Sequence, residues 1–173
     1  MGPALADPYW HRRIHLATTA EGEAWTEAMA QAIREASPAL RAEVASAALA
    51  HWRERVLAHA ETEEAAWAQS PAWAGFPHAA LSAQHRAIAE GVDRLADSLE
   101  NADWEAVLAL LQDLDALFRR HADDEEAALW AWPHARHPRP APASECPEPD
   151  AGSGVAGLGL SARPPIRLLE DRP

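Results

Sequence analysis

The chain has 173 residues, 15 basic and 27 acidic, giving a formal net charge of -12, which works against a nucleic-acid backbone or an anionic membrane surface as partner. All 15 basic residues are arginine, which excludes Schiff-base lysines and the P-loop. The one cysteine, Cys146, excludes an intrachain disulfide and cysteine-ligated zinc or iron–sulfur sites.

No apolar run reaches the roughly 18–20 residues of a membrane span. Residues 1–10 lack a basic start followed by an apolar stretch, so a soluble cytoplasmic protein is expected. Forty-two alanines against eight glycines is a helix-forming composition.

In chain order, Asp7-Pro8 reads as an N-cap followed by proline at the first helical position, opening a helix to about Ala36. Ser37-Pro38 repeats the signature for a second helix to about Ala68. Residues 69–76 read as a loop, and Pro77 starts a third helix to about Leu99. Asn101 or Asp103 caps a fourth helix, running to about Ala131. Four such helices joined by short connectors predict an all-α, up-down-up-down four-helix bundle over residues 1–133. Nine prolines and four glycines fall among the 41 residues from Pro133, so residues 134–173 are expected to be a disordered tail. The tail's Ile166-Arg167-Leu168-Leu169 is a candidate segment for docking a protein partner.

Steps of three and four residues trace the inward stripe of each helix. The second gives Val44, Ala48, Trp52, Val56, His59, Glu63 and Trp67; the fourth gives Val107, Leu111, Leu114, Phe118, His121, Glu125 and Leu129. The third carries His78, Leu81, His85, Ile88 and Val92. The first carries His15, Thr18, Gly22, Trp25 and Met29, with His11 one turn earlier. Histidine interrupts every apolar stripe, and glutamate follows one turn later in two. An inward carboxylate without a partner costs several kcal/mol or takes up a proton.

Depth along the bundle supplies the partners. His15 lies 22 residues before Ser37 and His59 lies 22 after it. About Asn101, His85 is 16 before and His121 is 20 after, while His78 and Glu125 are 23 before and 24 after. The inward histidines and glutamates therefore form one layer near one end of the bundle. Two facing His-x-x-x-Glu pairs offer imidazoles and carboxylates able to bridge two metal ions, a donor set suited to iron, manganese or zinc. The order is the reverse of the Glu-x-x-His pairs of ferritin-like carboxylate sites, and no His-Glu-x-x-His zinc motif is present. An imidazole-rich shell stabilises high-valent iron less than carboxylates would, which favours binding or sensing a diatomic or peroxide.

These residues resemble the hemerythrin-like (HHE cation-binding) domain. The motifs stand as His59-Ala-Glu-Thr-Glu63-Glu64 followed by Trp67, Gln84-His85-Arg-Ala-Ile88, and His121-Ala-Asp-Asp-Glu125-Glu126 followed by Leu129-Trp130. The resemblance covers about residues 8–133. It implies a non-haem di-iron centre, with two iron ions held by His15, His59, Glu63, His85, His121 and Glu125 and both glutamates bridging. The implied ligand is O2 or a related small oxidant, peroxide or nitric oxide, for sensing, scavenging or carriage. A di-iron oxidase or oxygenase and a metal-free helical interaction module are the alternatives.

The chain departs from oxygen-carrying hemerythrins in two places. Their third helix carries His-x-x-x-His, and here Leu81 stands four before His85, with His78 as a candidate replacement. Their last helix places aspartate five after histidine, and here Glu125 and Glu126 stand at four and five. His51, off the stripe, reads as a surface or hydrogen-bonded residue. Glu64 and Glu126 are candidate acceptors for ligand imidazoles, and Trp67, Trp73, Phe76, Trp130 and Trp132 are expected to cap the layer.

Overall fold

A computed structural model describes residues 7–132, the side chain of Ala72 excepted. The Asp7 carboxylate accepts hydrogen bonds from the backbone N–H groups of Tyr9 and Trp10, and Pro8 opens α1 (Pro8–Glu35). The Ser37 hydroxyl accepts from the Leu40 N–H at the head of α2 (Pro38–His51). Each cap satisfies donors that the first helical turn leaves unpaired.

The second expected helix is one rod built from three pieces. A π-helical turn, Trp52–Leu57, joins α2 to α3 (Ala58–Gln69). A short 3-10 turn at Pro71–Trp73 and Gly75, at φ 85, lead into α4 (His78–Glu100). Of the two candidate caps for the last helix, Asp103 takes the role, accepting from the Ala106 N–H at the start of α5 (Trp104–Ala131). Asn101 instead closes α4, its side-chain amide donating to the Asp97 carbonyl.

The architecture is an all-α four-helix bundle. α1 packs against α5 and the α2–α3 rod, and α4 packs against the same two, so each helix faces its neighbours in the chain and the last returns to the first. No strand is present and no helix is long and apolar enough to cross a membrane, among the described residues. The reading of 134–173 as a disordered tail lies outside the described residues.

Apolar side chains form two clusters. The larger gathers Met29, Ala48, Trp52, Val56, Ile88, Val92, Leu111, Leu114 and Phe118. The smaller gathers Trp67, Trp73, Phe76, Leu81 and Leu129, with Trp132 packed against it. The polar layer lies between them, and chain order shows it. On α5 the buried sequence is Phe118, His121, Glu125, Leu129; on the second rod Val56 and Trp67 bracket Glu63; on α4 Leu81 and Ile88 bracket His85.

Candidate metal centre

Three helices and the lower half of the second rod send polar side chains into this layer. His11, His15, Glu63, His121 and Glu125 are each 1% exposed. The i and i+4 spacing puts His59 over Glu63 and His121 over Glu125, at 2.7 Å and 3.2 Å between Nε2 and the nearest carboxylate oxygen. His11 reaches both carboxylates, 3.0 Å from Glu63 Oε1 and 3.1 Å from Glu125 Oε2. His85 Nε2 lies 3.4 Å from Glu63 Oε2, and His15 Nε2 lies 3.5 Å from Glu125 Oε2. Imidazole nitrogens also meet one another: His11 and His15 Nε2 are 3.1 Å apart, as are His85 and His121 Nε2.

The donor atoms fall into three overlapping groups, His11/His15/His59/Glu63, His15/His121/Glu125 and Glu63/His85/His121, each with its ligating atoms within 4.8 Å of one another. His15, Glu63 and His121 belong to two groups each, so the groups form one continuous cluster, and the Glu63 and Glu125 carboxylates are the members with two oxygens to offer. Six of the seven residues are those the stripes single out. The seventh, His11, lies on the same face as His15 one turn away, and the structure brings both to the cluster. His78 is not brought there: it is exposed at the start of α4, with its ring at hydrogen-bond distance (3.0 Å) from the Phe76 carbonyl.

The chemistry of the layer fits a cation. Both oxygens of Glu63 and Oε2 of Glu125 are buried without a well-directed hydrogen bond, although imidazole nitrogens stand close by. All their ion-pair partners are imidazoles. Unrelieved negative charge at such depth costs several kcal/mol per group. Without a metal, protons must supply the positive charge. Burial alone would lower the His11 imidazole, but the Glu125 and Glu63 carboxylates outweigh it and push it up from 6.5 to about 10. Burial likewise works to raise the glutamates, yet the histidines around them hold Glu125 at about 2 and Glu63 well below the usual carboxylate range. Burial, together with the positive charge on His11, takes His15 down to about 3. One imidazole is thus charged beside a neutral one.

Outer partners aim the ring of His85. Its Nδ1 lies 3.0 Å from Glu64 Oε1, and a carboxylate only accepts, so the hydrogen of the neutral ring sits on Nδ1 and Nε2 is left for a proton or a metal ion. Trp67 stacks on the same ring, with centroids 5.6 Å apart and planes within 7°.

The family model of the hemerythrin HHE cation-binding domain matches residues 11–133. The chain belongs to that family. A comparison with curated proteins and one with solved structures returned no match. The match covers the described bundle from His11 onward, and the His/Glu cluster is the feature a cation-binding family leads one to look for.

His51 is not at the surface but keeps a polar partner, and Trp130 departs from its sequence reading. His51 is buried, its Nδ1 3.4 Å from the half-exposed Glu21 carboxylate. Trp130 is 50% exposed and borders a surface groove with Tyr9, Arg12, Arg13 and Leu16, while Trp67, Trp73, Phe76 and Trp132 close the end of the bundle.

Proposed function

We propose that this hemerythrin-like domain holds two iron ions and binds O2 or a related small oxidant, peroxide or nitric oxide, for sensing, scavenging or carriage. His11, His15, His59, Glu63, His85, His121 and Glu125 would be the ligands, with Glu63 and Glu125 shared between the ions. Seven donors exceed what one ion of this kind accommodates, and two carboxylates at full burial call for more than one positive charge. That convergence is the observation that carries the reading. Ferrous iron, when bound, would supply electrons to the incoming ligand.

The chain's own residues shape what can enter. Val56, Leu57, Ala60, Ile88 and Phe118 pack beside His59, His85 and His121 so closely that no water-sized space remains among them. Pockets for organic ligands run to about 300–1,000 Å³, so this packing leaves no site for an organic substrate beside the cluster. The apolar walls and the Trp67 lid exclude water, which keeps the imidazoles and carboxylates strongly coupled to whatever charge lies among them.

Anaerobic reconstitution with ferrous iron followed by O2 tests the proposal. A visible absorption band that forms on O2 addition and disappears when O2 is removed is the expected result. Irreversible bleaching with consumption of an added reductant would replace it with the di-iron oxidase or oxygenase reading.

A further inference from the structure

The layer's outer hydrogen bonds single out a device on the α4–α5 seam. Gln84, the residue before His85, places its Oε1 3.1 Å from His121 Nδ1 and its Nε2 2.6 Å from Asp124 Oδ2. Asp124 is exposed on the outer face of α5, three residues after His121, and plays no part in the cluster itself. We infer that Asp124 and Gln84 act as positioning residues that fix the tautomer and orientation of His121 for the metal site, an inference that rests on the metal-binding reading above.

The reasoning is a chain of forced choices. A carboxylate only accepts, so the Gln84 amide must turn its NH2 toward Asp124. Its carbonyl oxygen then faces His121 and needs a hydrogen there. That hydrogen must sit on Nδ1, which leaves Nε2 as the lone-pair nitrogen. Nε2 is the atom 3.2 Å from Glu125 Oε2 and 3.1 Å from His85 Nε2, inside the donor groups that include Glu63 and His85. Without Asp124 the amide is free to reverse, and the reversed amide would favour the other tautomer, with a hydrogen where the metal must bind.

The arrangement also makes the facing pair unequal. His85 donates directly to the charged Glu64 carboxylate, whereas His121 donates to a neutral amide backed by one. Nδ1 of His11 and of His15 is buried with no partner. Ligand basicity follows the strength of the acceptor behind the imidazole, so His85 is the strongest donor, His121 is next, and the α1 histidines are the weakest held.

Three variants test this: Gln84→Leu, which removes both hydrogen bonds at similar size; Gln84→Glu, which keeps an acceptor for His121; and Asp124→Asn, which removes only the obligate acceptor. Imidazole 15N spectra of the metal-free protein at mildly alkaline pH should show His121 of the wild type with its hydrogen on Nδ1. Gln84→Leu should mix the tautomers, and Gln84→Glu should restore the original one. Zinc, used as a diamagnetic probe and titrated against a chelator, should bind roughly 10- to 100-fold more weakly to Gln84→Leu. Most of that loss should return in Gln84→Glu, with a smaller loss in Asp124→Asn. A wild-type His121 carrying its hydrogen on Nε2, or a Gln84→Leu protein with unchanged spectrum or unchanged zinc affinity, overturns the inference. A wild type that takes up neither zinc nor iron would instead remove the metal reading, and the metal-free spectra would still judge the tautomer.

Discussion

Two buried glutamates govern the chemistry of this bundle. Glu63 and Glu125 are as deep as any leucine of the core, and only imidazoles approach them. The metal-free protein should show this in its pH–stability profile. The raised His11 contributes stability that is fully present below its unfolded value of 6.5 and is lost as pH climbs through about 10. The depressed groups act on the other side. His15, neutral when folded, costs stability as pH falls below 6.5, and the glutamates lose theirs below 4.5. Urea unfolding across pH should therefore peak near 6.5 and decline in both directions. A profile that is flat from 6.5 to 10 would mean that His11 does not compensate the carboxylates. Metal uptake should release protons, since ions and protons compete for the same nitrogens.

The same residues show what a sequence can and cannot reveal. A stripe of apolar residues broken by His and Glu exposes six of the seven donors because helical phase decides burial. Phase does not separate His11 from His15, which share a face. Counting along the axis places His78 level with Glu125, but height alone ignores azimuth, and at the start of α4 the ring turns to the Phe76 carbonyl. Accordingly, His59→Ala should lower metal content with far-UV helicity largely intact, and His78→Ala should leave metal content unchanged. Equal occupancy in wild type and His59→Ala would remove His59 from the ligand set.

At the level of the elements, caps were readable and packing adjustments were not. Asp7-Pro8 and Ser37-Pro38 announce their helices because side-chain oxygen and fixed φ act locally. The π turn at Trp52–Leu57 has no such signal, since nothing in Trp-Arg-Glu-Arg-Val-Leu breaks a helix. It carries Trp52 and Val56 inward, at 1% and 2% exposure. π turns often mark functional sites, and this one ends directly above His59.

The neighbouring helix contact depends on Gly22. A Cβ there would meet Asp115 Oδ1 at 2.7 Å, while Asp115 Oδ2 accepts a 2.7 Å hydrogen bond from Thr26. Gly22→Ala should therefore destabilise the protein by about 1–3 kcal/mol through overpacking at the α1–α5 contact, read as a shift in the urea midpoint. An unshifted midpoint would show that the carboxylate swings aside freely.

For the molecule as a whole, the order of layers is the organising fact: a long apolar core, a charged plane, then an aromatic end. Four helices of modest hydrophobicity carry that plane because each interrupts its stripe at the same height, and membership of a cation-binding family accords with it. The bundle was legible from the caps and periods of residues 8–132, since short connectors leave few ways to pack four amphipathic helices. Of the outer network, Glu64 was legible as an acceptor for a ligand imidazole, whereas the Gln84–Asp124 bridge was not, because side chains at helix surfaces look alike in sequence until the facing helix is known.

Metal content of the purified chain after anaerobic loading and removal of excess ion is the most direct test of this account. About two iron ions per chain should remain, bound at the buried layer. A protein that retains none, yet keeps its helical structure and stability, would contradict it.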